Sequence, residues 1–477
     1  MSRDAWLQPA LDYLPRWLEH QLRQTEQPGC ALTIVHRGRV VLETALGHAD
    51  RRRGAALSTR HVFRVASHSK TFTAAGILLL RDRGRLGLDD AVGRHVDGLH
   101  AEVAATTLAQ LLSHTAGLVR DGTDGSQWMG RRPFLSAAEL RADLGVAPTL
   151  PASTRFKYSN HGYALLGLVI EAVTGEAYGP WITREVVRAS GLETTWPDMP
   201  EGGLPRAHPL AAGHTLKWPL GERLPVAGGQ GTRAMAPATG FVSHGADLLR
   251  FYRSLAPQST GSVLSVASRR EMTRRLWQEE HSVLARWYGL GTISATTAGF
   301  DFFGHSGSFP GTLSRTVHVP AQDLGVSIIT NAADGPCHPW LDGVLHVLAL
   351  CRKHGAPSAA TKPWTGRWWV PGGVVDLLPL ADRVIVAGPA LANPVQDATQ
   401  FSVQPRTRGG ERHGQVTLSG GFGVHGEPVR LVHDAAGRPK ALWLGGFCHV
   451  PEAQIARELR RRHGAASPNP HRNQTVP

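Results

Sequence analysis

Cysteine is scarce in this sequence, and the patterns that bind metals are missing. The four cysteines lie far apart in a chain of 477 residues, and none forms a C-x-x-C pair or a zinc-like Cys/His cluster. The 24 histidines form neither H-x-H-x-D nor H-E-x-x-H. We therefore expect no metal and no other cofactor. The sequence also lacks G-x-S-x-G, which argues against an α/β-hydrolase, and scattered thiols are typical of a reducing compartment.

Hydrophobic runs long enough to cross a membrane are also missing. The first residues, MSRDAWLQPALDYLPRWLEHQLRQ, carry leucines at every third or fourth position and lack the continuous apolar stretch of a secretory signal. This periodicity predicts an amphipathic helix. We therefore expect a cytoplasmic protein without a membrane partner.

Positive charge exceeds negative charge, because 51 Lys and Arg residues against 38 Asp and Glu residues give a net charge of +13. Such an excess can indicate a nucleic-acid partner or an anionic surface. The arginines are scattered, however, and the most basic block is the run RELRRRHG near the end of the sequence. We therefore expect no nucleic-acid partner.

Secondary-structure signals divide the chain into a mixed region and an all-β region. Helical and strand-like segments are intermixed in residues 1–355, which predicts an α+β domain. Residues 356–363 predict a linker, residues 364–455 a β-meander or small barrel, and residues 456–477 a basic, disordered tail. The strands predicted within residues 364–455 are GRWWV, RVIVAG, TQFSVQP, GQVTLSG, PVRLVHD and KALWLGGFCHV.

The segment FRVASHSKTFTAAGILLL places Ser67 and Lys70 three residues apart, where an apolar helix begins. Residues with this spacing share one helix face, so the Lys70 amine can reach the Ser67 hydroxyl and take its proton. The backbone N–H of Ser67, at the start of a helix, can also stabilise an oxyanion. Alone, the pattern is equally compatible with an ordinary solvated helix start.

Two further short motifs follow. Tyr158, near a lysine, can transfer protons, and the amide of Asn160 can hold a peptide-like carbonyl. His305 lies in a strand-like run, followed by Gly307, which lets a substrate backbone lie close to the strand, and by Ser308, whose N–H can be a second oxyanion donor. Each motif is weak alone, but their order in one chain favours catalysis by a nucleophilic serine.

With S-x-x-K, Y-x-N and H-x-G in this order, the sequence resembles the penicillin-binding-protein and class C β-lactamase superfamily of serine acyl-transfer enzymes. The likeness covers roughly residues 10–350 and includes the segments LLSHTAGL, FKYSNHGYALLG, YGLGT and FGHSGSFPGTLSRTVHVP. It implies a β-lactamase/transpeptidase-like domain, in which helices flank an antiparallel sheet and a helical region closes the cleft. Ser67 would be the acylated nucleophile, and Lys70 and Tyr158 would form its base system and protonate the leaving group.

The resemblance also implies roles for the other motif residues. Asn160 would orient the substrate amide, and His305 would lie near the substrate carboxylate or in the proton network. The N–H groups of Ser67 and Ser308 would form the oxyanion hole, with Gly307 contributing to substrate binding. This third motif is H-S-G where many members have K-T-G, a change more typical of esterases, D-amino-acid peptidases and related acyltransferases than of efficient β-lactamases.

The arrangement of the whole chain is similar to that of stand-alone penicillin-binding-protein-type thioesterases of nonribosomal peptide assembly, which bear a lipocalin-like C-terminal domain. That resemblance implies a small-molecule or peptidyl (thio)ester substrate, release by macrocyclisation or hydrolysis, and an acidic carrier protein as partner. A cytosolic esterase or a D-amino-acid-type peptidase or amidase is the alternative, ahead of a β-lactamase. A non-catalytic binding protein on the same fold is a different class, against which the intact Ser67, Lys70 and Tyr158 argue.

Overall fold

The computed structural model describes residues 4–283, 285–404, 411–421 and 423–464. The contacts within the chain form two compact units: a larger unit, Thr25–Leu341, and a smaller unit made of Met1–Gln24 and Asp342–Pro477. The predicted first domain, residues 1–355, therefore begins before the larger unit and ends after it. None of the helices in the described residues is both long and apolar enough to span a bilayer.

The α-helices of the described residues, in chain order, are α1 (Gln8–Gln24), α2 (Ser69–Asp82), α3 (Ala101–Ala104), α4 (Leu108–Leu112), α5 (Ala137–Leu144), α6 (Asn160–Thr174), α7 (Tyr178–Ile182), α8 (Ala236–Thr239), α9 (Gly245–Ser254), α10 (Val266–Met272), α11 (Cys337–His354) and α12 (Glu452–His463).

The strands of the described residues are β1 (Gly29–His36), β2 (Arg39–Asp50), β3 (Ala55–Ala56), β4 (Phe63–Arg64), β5 (Gly213–His214), β6 (Pro225–Val226), β7 (Val242–Ser243), β8 (Trp277–Gln278), β9 (Trp287–Tyr288), β10 (Ile293–Thr297), β11 (Phe300–Phe309), β12 (Thr312–Val319), β13 (Leu324–Thr330), β14 (Gly366–Val370), β15 (Gly373–Leu380), β16 (Arg383–Ala387), β17 (Thr399–Val403), β18 (Glu411–Leu418), β19 (Pro428–His433), β20 (Pro439–Leu444) and β21 (Phe447–His449).

The larger unit is built on an antiparallel sheet of nine strands in the order β3-β2-β1-β13-β12-β11-β10-β9-β8. Helix α2 is buried from Ser69 to Leu80: its second half is apolar, and the buried hydroxyls of Thr71 and Thr73 donate to the Gly291 and Pro237 carbonyls. Phe72 of α2 lies between the rings of Phe241 and Phe251, with ring centroids 4.3 and 3.9 Å away. This packing fixes the helix that begins beside Ser67. The predicted α+β fold is confirmed.

The smaller unit contains an eight-stranded antiparallel meander in the sequential order β14 to β21. Trp369 of β14 and Val450, next to β21, exchange two backbone hydrogen bonds of 2.9 Å, which bring the first and last strands together as in a barrel. Trp364, Phe401 and Leu431 lie in its apolar core. The predicted all-β region is confirmed. Strand β15 was not predicted, because Gly372 and Gly373 stand at its start and Pro379 interrupts its pattern.

Helix α1 belongs to the smaller unit, although the sequence placed it in the first domain. Its Trp17 Nε1 donates to the Leu391 carbonyl at 3.1 Å, and Gln21 Nε2 donates to the Pro389 carbonyl at 2.6 Å. Leucine periodicity predicts an apolar helix face but not the segment that covers it, so the sequence alone could not assign this helix.

Two other boundaries also differ from the prediction. In the predicted linker 356–363, Ser358 N donates to the Ala381 carbonyl at 2.9 Å, so this segment is bonded within the smaller unit. The predicted disordered tail begins inside α12, which continues to His463 and buries only Ile455, so its polar sequence reflects an exposed helix face. Residues 465–477 of that tail lie outside the described residues.

Candidate active site

Ser67 is held at the end of a strained turn. The 3₁₀ turn Ala66–His68 leads directly into α2, and Ala66 has φ of 47°, in the left-handed region that costs an alanine about 1 kcal/mol. Ser69 Oγ donates to the Ala66 carbonyl at 2.5 Å and accepts from Phe241 N at 3.0 Å. These bonds fix the backbone on both sides of Ser67, so its hydroxyl is presented in one position.

Lys70 lies directly beneath Ser67 and is fully buried. Its Nζ is 3.1 Å from Ser67 Oγ, 2.7 Å from Asn160 Oδ1 and 2.8 Å from the Ala238 carbonyl. Burial holds the pKa of Lys70 well below its ordinary value. A neutral amine has two N–H donors and one lone pair, so it can donate to Asn160 and Ala238 and accept the proton of the Ser67 hydroxyl.

Tyr158 completes the group around the serine hydroxyl. Its ring centroid is 4.8 Å from Lys70 Nζ. Burial raises the pKa of Tyr158, and the hydrogen bond of its hydroxyl with Ser67 opposes this only in part. The phenol therefore stays protonated at neutral pH and is better suited to donate a proton than to remove one. Of the two residues predicted as the base system, Lys70 is thus the better base and Tyr158 the better proton donor.

Asn160 is positioned by the start of α6 and by a carboxylate that the sequence did not predict. Its Nδ2 donates to Asp121 Oδ1 at 2.6 Å, which turns the amide oxygen towards Lys70. Trp128 Nε1 donates to the same Asp121 oxygen at 2.9 Å, and Arg120 Nε donates to Asp121 Oδ2 at 3.0 Å. Asp121 follows the segment LLSHTAGL in the sequence, but no motif marks it as a site residue.

We expect the charges of Asp121 and Arg120 to tune Lys70 in opposite directions. The Asp121 carboxylate raises the pKa of Lys70 and the Arg120 guanidinium lowers it, both less than burial does. Asp121→Asn should therefore move the acid limb of the kcat/KM profile to lower pH, and Arg120→Gln should move it to higher pH. Partly exposed charge interactions are worth about 0.2–1 kcal/mol, which corresponds to shifts of at most about 0.7 pH unit.

The measurement is the pH dependence of kcat/KM of both variants with one ester substrate. A structural disturbance without electrostatic tuning would lower the rate at every pH and leave the midpoint in place. Shifts of both midpoints in the same direction would contradict the opposing roles of the two charges.

His305 lies on β11 beside the same cleft. Its Nε2 is 3.1 Å from the hydroxyl of Tyr288, and its Nδ1 is 3.0 Å from Ser306 N and 2.7 Å from Ser306 O. Burial, with a further effect of the nearby Lys70, lowers the pKa of His305 to about 3. Without a charge this imidazole acts through hydrogen bonds, and its Nε2 is already in contact with the Tyr288 hydroxyl. Of the two roles that the resemblance implied, this geometry therefore favours membership of the proton network.

Gly307 is required by packing, which is a reason beyond the predicted one. A Cβ atom at this position would lie 2.0 Å from the Val65 carbonyl oxygen and 2.6 Å from Ser314 Oγ. The glycine therefore lets β11 approach the backbone just before Ser67, and Gly307 also lines the cleft. Ser308 of β11 is exposed. It lies beyond Gly304, the last residue of β11 that pairs with β10.

The predicted site residues meet at one cleft of about 500 Å³. Ser67, Tyr158 and Asn160 line one side, and residues 305–308 of β11 line the other, whereas Lys70 lies buried below. Arg286 Nη2 donates to Glu279 Oε2 at 2.8 Å in the cleft wall. A cleft of this size, lined by both aromatic side chains and many polar or charged ones, fits a peptide-sized acyl chain with polar groups. Wall residues that the sequence did not predict include Arg120, Asp121, Trp128, Phe156, Glu279, Arg286, Trp287, Tyr288 and Phe309.

Comparison with known sequences identifies relatives of this chain. The family model described as Beta-lactamase matches residues 14–340. Penicillin-binding protein 4 of Amycolatopsis lactamdurans is 30% identical over 322 residues, covering 64% of this chain and 81% of that protein. Protein flp of Staphylococcus aureus (strain COL) is 34% identical over 170 residues, which cover 35% of this chain and 34% of flp. The chain thus matches about a third of the length of flp.

Two solved structures share the fold. The structure of SurE aligns with 92% of this chain and 98% of its own, with a TM-score of 0.60 and 23% identity. D-amino acid amidase from Ochrobactrum anthropi SV3, complexed with D-phenylalanine, aligns with 72% of this chain and 99% of its own, with a TM-score of 0.62 and 20% identity. At these identities the likeness concerns the fold.

Proposed function

Since this chain belongs to the beta-lactamase family of serine hydrolases, we propose that it transfers acyl groups through an ester on Ser67. The observation that carries the proposal is the 3.1 Å separation of Lys70 Nζ and Ser67 Oγ, with the lysine buried and its pKa lowered. A base in contact with the hydroxyl is what a serine needs to become a nucleophile.

The proposed steps follow from the positions of the side chains. Lys70 takes the hydroxyl proton as Ser67 Oγ bonds to the substrate carbonyl carbon, and the N–H groups of Ser67 and Ser308 stabilise the oxyanion. When the bond to the leaving group breaks, Tyr158 donates a proton to that group and recovers one from Lys70. An amine or a water molecule then attacks the acyl ester and restores the Ser67 hydroxyl.

For the substrate, we propose peptidyl thioesters of nonribosomal synthesis, which the enzyme releases as macrocycles when the attacking group is the peptide's own amine. Two features support this substrate class: the three motifs S-x-x-K, Y-x-N and H-S-G, and the C-terminal eight-stranded domain. Together they resemble the stand-alone thioesterases. The SurE structure, which aligns over both units, has also been solved with D-Leu. A cytoplasmic location and an acidic carrier protein as partner belong to this proposal, whereas a nucleic acid or a membrane does not.

An esterase or a D-amino-acid-type amidase of the same fold is the second candidate. The alignment with a D-amino acid amidase over 72% of this chain favours it. Both candidates use Ser67 in the same way and differ in the group that attacks the acyl ester. The partition between an amine and water therefore distinguishes them.

The test is incubation of the purified protein with a linear peptidyl thioester that has a free N-terminal amine and a D-residue at its C-terminal end. Mass spectrometry separates a cyclic product from the free acid, which is heavier by one water, and Ser67→Ala is the control. Ser67-dependent cyclic product is the expected result. Free acid alone, or cleavage only of simple esters and D-amino-acid amides, would support the hydrolase. Turnover by Ser67→Ala would overturn the acyl-enzyme itself.

A further inference from the structure

An exposed apolar hairpin projects from the larger unit. Strands β5 and β6 pair at its base, and we call residues 213–226 the Trp218 hairpin. Large apolar side chains on it have exposed fractions of 45% for Leu216, 69% for Trp218, 55% for Leu220 and 43% for Leu224. Single exposed apolar residues are common on proteins, but a group of four within nine positions is typical of an interaction site.

A basic turn lies beside this hairpin. Residues 51–53, between β2 and β3, are three consecutive exposed arginines. Arg51 N donates to His214 Nε2 at 3.2 Å, and Arg51 Nη1 donates to the Glu26 carbonyl at 3.4 Å. Lys217 Nζ of the hairpin donates to the Glu26 carboxylate at 2.6 Å. The apolar hairpin and the arginine turn therefore form one continuous surface. Its cations Arg51, Arg52, Arg53 and Lys217 outnumber its carboxylates Glu26, Asp50 and Glu222 by one, and Asp50 is paired with Arg53.

The same surface is bonded to the rim of the active-site cleft. His214 N donates to the Gly311 carbonyl at 3.2 Å, and Ala333 N donates to the His214 carbonyl at 3.0 Å. Ala333 lines the cleft, as does Pro310, the neighbour of Gly311. A protein bound to the Trp218 hairpin would therefore lie next to the backbone that forms part of the cleft wall.

We infer that the Trp218 hairpin and the arginine turn dock the acidic carrier domain that presents the acyl thioester to Ser67. The inference rests on the proposed function and adds the place where the partner binds. An apolar centre with a charged rim is typical of protein interfaces, and arginines opposite acidic groups accelerate association. The carboxylate of Glu26 in the middle of this surface suits a protein with mixed charges better than a uniformly anionic bilayer.

The experiment compares two forms of one substrate: a peptide loaded on a purified acidic peptidyl carrier domain and the same peptide as a small N-acetylcysteamine thioester. Trp218→Ser/Leu220→Ser should raise KM for the loaded carrier domain about 30-fold, the effect of losing an interface hot spot. The kinetics with the small thioester should stay unchanged, because neither residue lines the cleft.

A matched pair of charge reversals tests the arginine turn. Changing residues 51–53 to glutamate should lower kcat/KM for the loaded carrier domain and weaken its dependence on salt. The control reverses the three exposed consecutive arginines of α12, residues 460–462, which changes the net charge by the same amount. Equal losses in both variants would show a general charge effect and would overturn the assignment of this surface.

Three other results would also overturn the assignment of this surface to a carrier domain. Equal effects of the hairpin variant on both substrate forms would indicate damage to the cleft. Hairpin-dependent sedimentation of the wild type with phosphatidylglycerol vesicles would assign the surface to a membrane, and a hairpin-dependent molar mass in light scattering would assign it to a second copy of the chain. Failure of the wild type to turn over the small thioester would refute the proposed function, independently of docking.

Discussion

Ser67→Ala should abolish acyl transfer, with a loss of kcat/KM of at least about 10⁴-fold, while the protein remains folded. Ser67 Oγ is the atom that would carry the acyl group, and Lys70 and Tyr158 both contact it. Removing it leaves the cleft and its neighbours in place but takes away the atom that forms the ester. Intact-mass spectrometry should detect the acyl adduct on the wild type and not on the variant, and thermal unfolding should give the same midpoint for both.

Ser69, two residues further on, provides the matched control. Its hydroxyl is buried between the Ala66 carbonyl and Phe241 N, and it does not line the cleft. Ser69→Ala should lower the free energy of unfolding by about 1–3 kcal/mol, because it leaves a buried N–H without an acceptor. The acyl adduct should still form, because Ser67 Oγ remains, but more slowly, because the turn that holds Ser67 loses two hydrogen bonds. Turnover by Ser67→Ala at the wild-type rate would contradict the assignment of Ser67 as the nucleophile.

Lys70→Met should lower kcat/KM by about 10³-fold, since a positioned general base contributes a factor of about 10²–10⁴. Methionine is similar in length and apolar, so it occupies the buried position without a group that can accept the Ser67 proton. Lys70→Arg should be as inactive, because a guanidinium stays protonated in proteins. Measured with an activated ester, a Lys70→Met rate close to that of the wild type would show that another group acts as the base.

The same lysine predicts the shape of the pH profile. Burial lowers the pKa of Lys70 from its ordinary value of 10.5, so the amine is neutral above the folded-state pKa and charged below it. Activity of the wild type should therefore fall as the pH falls through that folded pKa. Between the two pKa values the unfolded chain binds more protons, so the contribution of Lys70 to folding should become more favourable as the pH rises towards 10.5. Lys70→Met should lose this contribution to the pH dependence of unfolding.

The sequence predicts the residues that carry motifs and the elements with regular patterns. Ser67 and Lys70 share the first turn next to α2, as their spacing requires, and the β-meander follows its turn residues. It does not predict Asp121, because a single carboxylate in a loop has no periodicity or spacing that distinguishes it. It predicts Gly307 as a position beside the substrate but not the packing that also requires a glycine, since the approach of the Val65 carbonyl arises only from the packing of distant segments.

The assignment of α1 to the smaller unit has a consequence for synthesis on the ribosome. Trp17 and its hydrogen-bond acceptor Leu391 are 374 positions apart. At about 5–20 residues per second, the partner of α1 is made about 20–75 s after the helix itself. During that interval the apolar face around Leu14 and Leu18 has no native cover, whereas the larger unit, which ends at Leu341, is completed before Leu391 is made. Slow or interrupted translation should therefore produce aggregation that begins at α1, and a chaperone that covers amphipathic helices should raise the yield of folded protein.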